Sequence, residues 1–132
     1  MNNKIVFLDI KKLRCHEEIN KERLLTLIEE IKQDGCIKNP VVVEDKHFVI
    51  LDGHHRIAVL KQLRANRAPV FLVSYFDNNI RVSLRRKELA IENIKEAVLE
   101  MGKSDKLFPH KTTKHLISNR PKNLNVPLDK LF

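Results

Sequence analysis

A polar motif, DGHHR at residues 52–56, separates two apolar runs in the stretch HFVILDGHHRIAVLKQL. The apolar spacing after Gly53 predicts a helix that begins near His54. The first N–H groups of a helix are unpaired and carry a partial positive charge, so they can hold an anion. Gly53 lets a ligand approach the backbone, and Arg56 supplies a guanidinium suited to phosphate or carboxylate. The motif therefore predicts an anion pocket, to which His54 and His55 add donors.

Asp52 adds a carboxylate to the same turn. It would repel a bare phosphate, but it suits one carried with Mg²⁺, because carboxylate and phosphate oxygens are the usual ligands of that ion. The motif thus fits a magnesium nucleotide. A structural interpretation stays open, in which Asp52 caps the helix and the two histidines are exposed residues of its first turn.

The elements before the motif can be predicted from capping residues and apolar spacing. IVFLDI at residues 5–10 predicts a strand, and a helix is expected over residues 21–33, with Asn20 as its cap and Gly35 as its stop. NPVVVEDKHFVIL predicts two strands joined by a turn at residues 44–46.

The elements after the motif are predicted in the same way. They are a helix over residues 54–65, a core strand over 69–76, a hairpin to a strand over 80–84, and a third helix over 86–101 that Gly102 ends. The tail from Lys103 shows no periodicity, but we expect its apolar residues Val126, Leu128, Leu131 and Phe132 to dock on the core. The order β-α-β-β-α-β-β-α predicts an α+β (mixed α/β) fold, with a small mixed sheet and about three helices.

The chain has 132 residues and a net charge of +8. Its length favours a single domain over residues 1–132. Residues 81–132 carry +6 of the charge, so the basic excess is local. Such an excess suits nucleic acid, a nucleotide or a small anion, or is simply a solvated basic face. One tyrosine and no tryptophan supply a base-stacking platform poorly, which disfavours single-stranded nucleic acid.

Targeting features point to the cytoplasm. No apolar run approaches the roughly 20 residues that span a bilayer, and the N-terminus does not resemble a signal peptide. The two cysteines, Cys15 and Cys36, lack the spacing of a zinc site and suit a reducing compartment. We therefore expect no membrane partner.

LDGHHR between a strand and a helix resembles the phosphate-binding signature of the ParB/sulfiredoxin-like fold, and DGHHR is similar to that of the free serine kinases. Sulfiredoxins have a catalytic cysteine where this chain has His54, so peroxiredoxin repair is disfavoured. ParB partition proteins usually have a GERR-type sequence there and append a helix-turn-helix DNA domain, for which a chain of this length has little room.

Two further blocks resemble the free serine kinases. LRCHEEINKERLLTLIEEIKQDGCIKNPVVV resembles the segment in which His-Glu precedes the first helix, and LFPHKTTKHLISNRPKNLNVPLDKLF resembles the C-terminal PKTTRH segment. The three blocks occur in the family order and cover most of the chain. The departures include His110, Lys114 in place of the arginine of PKTTRH, and Arg85 in place of a ligand-contacting tryptophan, and the last of these concerns substrate recognition more than fold.

The resemblance implies a kinase that transfers a phosphoryl group from ADP or ATP to free L-serine, giving O-phosphoserine for amino-acid biosynthesis such as cysteine synthesis. It leaves the donor, the pathway and the oligomeric state open. Two alternatives also stay open, namely a ParB-like nucleotide- or DNA-binding regulator without kinase activity and a ParB-like nuclease. The basic C-terminal part supports the regulator, whereas Glu17 and KTTKH (residues 111–115) disfavour it.

The resemblance also implies roles for individual residues. Glu17 is the general base, with the adjacent Glu18 as its substitute, and Asp52 holds Mg²⁺ and takes part in catalysis. The C-terminal segment 103–132 completes the substrate site. The remaining implied site residues are Gly53, His54, His55 and Arg56 for the nucleotide phosphates, and Lys111, Thr113 and His115 for the substrate.

Overall fold

The main sheet of the computed structural model, which describes residues 4–132, has four strands. They are β1 (Lys4–Asp9), β3 (Val41–Glu44), β4 (Ile50–Asp52) and β5 (Arg67–Val73), in the order β1-β5-β3-β4. β3 runs parallel to β5, while β1 and β4 pair antiparallel with their neighbours. The sheet is therefore mixed, as the sequence predicts.

In the described residues three α-helices accompany the sheet: α1 (Lys21–Asp34), α2 (His54–Gln62) and α3 (Ile94–Lys103). The Asn20 side chain accepts a hydrogen bond from the Arg23 N–H and caps α1, and Gly35 ends the helix at a φ of 68°. Both predictions for α1 are confirmed. The predicted start of α2 at His54 is also correct, and this start places DGHHR between β4 and α2.

Apolar side chains cover both faces of the sheet, which explains the unbroken run of valines in β3. Val41 and Val43 belong to a core cluster that includes residues of α1 and α2, whereas Val42 belongs to a second cluster that includes residues of α3. All three valines are fully buried. A strand covered on both faces loses the apolar-polar alternation of a half-exposed strand.

Residues 4–132 also form two sheets of two strands each, and their pairing differs from the prediction. β2 (Cys36–Ile37) pairs with β8 (Val126–Pro127), and β6 (Ile80–Leu84) pairs with β7 (Thr113–Ile117). The predicted hairpin between the core strand and β6 is therefore wrong. The sequence hid β7 because its buried face includes Thr113 and His115, which are not residues that signal a core-facing strand.

The third helix is predicted over residues 86–101, whereas α3 both begins and ends later in the chain. A 3₁₀ turn occupies Lys87–Leu89, and α3 starts only at Ile94, after Asn93 in a left-handed conformation. Gly102 does not end the helix but lies inside it, where its buried backbone packs against Val49. The glycine thus serves close packing and not termination.

Three of the four apolar residues predicted to dock on the core do so. Val126 and Leu131 are buried and Leu128 is partly buried against the same cluster, whereas Phe132 is 51% exposed and does not dock. Within residues 4–132, none of the helices combines the length and the apolar character needed to cross a membrane.

We expect Gly102→Ala to lower the free energy of unfolding, measured by urea denaturation, by about 1–3 kcal/mol. A Cβ at this position would lie 2.7 Å from two methyl carbons of Val49, and this clash outweighs the gain of about 1 kcal/mol in helix propensity. In a double-mutant cycle, Val49→Ala should reduce the cost of Gly102→Ala. A stabilising Gly102→Ala would contradict this packing.

Candidate functional site

The N-terminus of α2 offers unpaired backbone donors. The first helical bond joins the Ile57 N–H to the Gly53 carbonyl, and no side chain within residues 4–132 caps the helix. The N–H groups of residues 54–56 therefore precede the helical bonding pattern. Gly53 has a φ of 112°, and a Cβ there would lie 3.0 Å from the Val41 side chain, so the turn requires glycine.

Asp52 does not cap α2 but forms ion pairs. Its Oδ2 lies 2.6 Å from Nη2 of Arg120 and 3.6 Å from Nη2 of Arg56. Burial raises the pKa of this carboxyl, but the charges of Arg56 and Arg120 and the hydrogen bond from Arg120 outweigh burial and lower it. Sequence analysis missed Arg120, which lies in a tail without periodicity.

Arg56 binds the loop before β3, next to the start of α2. Its Nη1 donates to the carbonyls of Asn39 (2.8 Å) and Pro40 (2.9 Å), and its side chain is 19% exposed. The guanidinium is thus largely committed to the loop before β3. Nη1 of the guanidinium is thus used by the backbone, whereas Nη2 lies 3.6 Å from Asp52 and faces the start of α2.

Glu17 is fixed by hydrogen bonds from β7. The Thr113 backbone N–H (2.9 Å) and the Thr113 hydroxyl both donate to Oε2 of Glu17. In residues 4–132, every hydrogen bond recorded for this carboxylate goes to Oε2, which leaves Oε1 for a ligand. The side chain is 11% exposed and lines a large cleft that also includes the start of α2.

His16 lies fully buried beneath Glu17. Its Nδ1 donates to the Ile50 carbonyl (2.7 Å), and its Nε2 lies 3.4 Å from Oε2 of Glu17. Burial raises the pKa of Glu17, but the hydrogen bonds from His16 and Thr113 and the charge of His16 outweigh it and lower the pKa to about 2. The carboxylate is therefore ionised throughout the physiological pH range.

The two histidines of DGHHR direct their rings at the segment that carries Glu17. Nε2 of His54 accepts a hydrogen bond from the His16 backbone N–H (3.1 Å), and Nε2 of His55 accepts one from the Asn20 backbone N–H (2.9 Å). Burial lowers the pKa of both rings, to about 3 for His54, which favours the neutral form that can accept. Sequence analysis assigned phosphate contacts to these residues and missed the ring contacts.

The predicted substrate residues lie on and beside β7. Lys111 is exposed and lines the cleft, as does Arg85. His115 is buried, and its Nε2 lies 2.8 Å from the Tyr75 hydroxyl, while burial lowers its pKa to about 3. Thr113 contacts Glu17, so the structure brings this segment next to the predicted base.

A single cleft of about 1150 Å³ brings these groups together. It is large enough for a nucleotide and a small acceptor. Its lining includes all the predicted site residues: Glu17, Asp52, Gly53, His54, His55, Arg56, Lys111, Thr113 and His115.

Asp52 is the acid at the start of α2 that could hold a metal ion. The described residues, 4–132, contain no group of three or more His, Cys, Asp or Glu side chains that could hold a metal. Arg120 occupies Oδ2 of Asp52, so Oδ1 is the oxygen that remains. This donor set fits Mg²⁺ that arrives with phosphate oxygens and does not fit a metal held by the protein alone.

Comparison with protein families gives a match to the ParB N-terminal domain over residues 1–94. The chain is 39% identical over 82 residues to the ATP-dependent L-serine kinase of Staphylothermus marinus, and the match covers 58% of this chain and 32% of that protein. It is 32% identical over 81 residues to the ADP-dependent L-serine kinase SerK of Thermococcus kodakarensis, covering 58% and 34%. The chain thus spans about a third of the length of these relatives.

Comparison with solved structures addresses the fold. A mutant of free serine kinase in complex with ADP superposes with a TM-score of 0.85, at 19% identity, over 97% of this chain and 94% of that chain. At this level of identity the likeness concerns the fold alone. It confirms the predicted ParB/sulfiredoxin-like fold and the mixed α/β class.

We expect Thr113→Val to raise the pKa of Glu17 from about 2 toward its ordinary value of 4.5, measured by ¹³C NMR of the carboxyl carbon. The variant loses the hydroxyl donor to the ionised form, whereas the backbone N–H still donates, so the rise should be partial. Thr113→Ser should keep the low pKa. An unchanged pKa in Thr113→Val would contradict the assigned contact.

The same low pKa sets the sign of a stability effect. Because the pKa of Glu17 in the folded protein lies below its ordinary value of 4.5, Glu17 stabilises the fold above that pH, and the contribution is lost as the pH falls toward 2. Thr113→Val should therefore lose less stability than the wild type between about pH 5 and pH 2, the window set by these two pKa values.

Proposed function

The chain belongs to the ParB N-terminal domain family, and we propose that it transfers a phosphoryl group from ADP or ATP to the hydroxyl of free L-serine. One observation carries the proposal: an ionised carboxylate with one free oxygen, Glu17, lines the same cleft as the open N-terminus of α2. The names of the curated relatives support the choice of serine as the acceptor.

The phosphates of the donor would bind at the start of α2. The N–H groups of residues 54–56 are oriented donors, and the helix dipole favours negative charge there. Arg56 and Arg120 flank Asp52, so two cations offset one carboxylate before the ligand arrives. Mg²⁺ bound with the nucleotide would be held by Asp52 and phosphate oxygens, and it would neutralise charge on the phosphates.

Glu17 would receive the proton of the acceptor. As the serine hydroxyl oxygen forms its bond to the terminal phosphorus, the bond from that phosphorus to the donor's bridging oxygen breaks, and the hydroxyl proton passes to Oε1 of Glu17. The products are O-phosphoserine and AMP or ADP. A carboxylate with a pKa of about 2 is a weak base, which suits a loose transfer in which the proton leaves late.

The C-terminal segment 103–132 would complete the acceptor site within one domain over residues 1–132. Lys111 is exposed at the cleft and can meet the carboxylate of serine, or the phosphate of the product. Thr113 and His115 would act on the acceptor indirectly, because their side-chain contacts go to Glu17 and Tyr75. We place the reaction in the cytoplasm and in amino-acid biosynthesis, with cysteine synthesis as one use of the product.

A second candidate is a ParB-like regulator that binds nucleotide or DNA without transferring phosphate. The cationic lining of the cleft favours it, with Arg23, Lys38, Arg85, Lys111, Lys114, Arg120 and Lys122 among the lining residues. The hydrogen-bonded Glu17 weighs against it, since a buried carboxylate does not assist DNA binding. Strong salt-dependent binding to random duplex DNA would favour the regulator.

We expect Glu17→Gln to lower the rate of phosphoserine formation, followed by ³¹P NMR, by roughly 10²–10⁴-fold. The amide keeps an oxygen that can accept from Thr113 but cannot take the proton, so the nucleotide dissociation constant should change little. Glu18→Gln is the matched comparison, because it alters the adjacent, exposed carboxylate. Unchanged turnover in Glu17→Gln, or its loss in Glu18→Gln instead, would remove Glu17 as the base.

We expect Arg120→Ala to weaken nucleotide binding, measured by isothermal titration calorimetry, on the order of tenfold. Without this cation, Asp52 faces the phosphates with only Arg56 to offset its charge. Lys122→Ala removes an exposed cation of the same cleft and should have a smaller effect. Equal effects of the two substitutions would show that only the general positive field of the cleft matters.

A further inference from the structure

The segment 16–20, which carries Glu17, has little regular structure of its own. It precedes α1, and within the described part of the chain, residues 4–132, its strand-like contact is a bridge between Glu17 and Phe108. In that bridge the Phe108 N–H donates to the His16 carbonyl and the Glu18 N–H donates to the Phe108 carbonyl, each at 2.8 Å. The His16 side chain also bonds to the Ile50 carbonyl and Glu17 accepts from Thr113, but the bridge leaves the N–H groups at the two ends of the segment, those of His16 and Asn20, to other partners.

Two histidine rings hold those ends. The His54 ring accepts the N–H of His16, directly before Glu17, and the His55 ring accepts the N–H of Asn20, the cap of α1. Both rings come from the first turn of α2, where the phosphate pocket lies. The position of Glu17 relative to that pocket is therefore set by these two rings together with the Thr113 donors.

We infer that His54 and His55 are positioning residues, whose rings fix Glu17 at a set distance from the phosphate pocket while their backbone N–H groups remain available to the ligand. The role in transfer rests on the proposed function, whereas the ring contacts stand independently of it. This assignment replaces ring contacts to phosphate with ring contacts to the chain's own backbone. Since a misplaced base slows transfer without weakening phosphate binding, the role predicts an effect on kcat and not on affinity.

His55 allows the sharper test, because it is only half buried. His55→Gln places an amide oxygen at the same distance along the side chain as Nε2, whereas His55→Asn places it one atom short. Both are neutral polar amides, so they differ chiefly in whether the Asn20 N–H can be reached. Three quantities are measured for each: amide hydrogen exchange at Asn20, the dissociation constant for ADP and ATP, and kcat for phosphoserine formation.

In His55→Asn we expect faster exchange at Asn20 and a loss of kcat, each on the order of tenfold or more, with the nucleotide affinity kept within about threefold. In His55→Gln, the exchange rate at Asn20, the nucleotide dissociation constants and kcat should all stay near the wild-type values. Unchanged exchange at Asn20 in His55→Asn would overturn the inference. A loss of nucleotide affinity in both variants, with kcat kept, would also overturn it, because the ring would then bind the ligand.

The two proposals can fail separately. If the wild-type protein forms no phosphoserine, the proposed function fails, but exchange at Asn20 still decides whether the His55 ring holds the segment. If phosphoserine forms and His55→Asn matches the wild type in exchange and kcat, the positioning role fails while the proposed function stands.

Discussion

The hydrogen bonds from Thr113 to Glu17 are the contact on which the site depends. They join β7, close to the C-terminal end of the chain, to a short segment near its start. Without them the largely buried carboxylate would keep only its contact with His16, so the effect of burial, which raises the pKa, would be offset less. With them, Oε2 is committed to the fold and Oε1 is left for chemistry. The β6–β7 pairing matters to function because it brings Thr113 to this position.

The start of α2 and the segment that carries Glu17 are therefore not independent parts of the site. The start of α2 provides backbone donors for an anion, and its His54 and His55 rings reach across to the segment that carries Glu17. The negative charge of Asp52 is offset by the positive charges of Arg56 and Arg120, which both pair with it. A phosphate-binding turn and a carboxylate are thus brought together by a few contacts between distant parts of the sequence.

The sequence predicts the local features well and the long-range contacts poorly. The start of α2, the Asn20 cap and the Gly35 stop follow from neighbouring residues, so they could be predicted and are correct. Gly102 does not end α3, because its role depends on packing against the distant Val49. The partner of β6, the pairing of Arg120 with Asp52 and the ring contacts of the histidines depend on residues far apart in the chain. β7 was missed because its buried face includes the polar residues of the site, whose functional placement removes the apolar signal of a strand.

The central claim is that this cleft makes O-phosphoserine. The most direct test incubates the purified protein with L-serine, Mg²⁺ and either ATP or ADP in separate reactions and searches for the product by mass spectrometry. Our account predicts O-phosphoserine in at least one reaction, which would also identify the donor. Absence of the product in both reactions, with nucleotide binding confirmed by calorimetry, would contradict it.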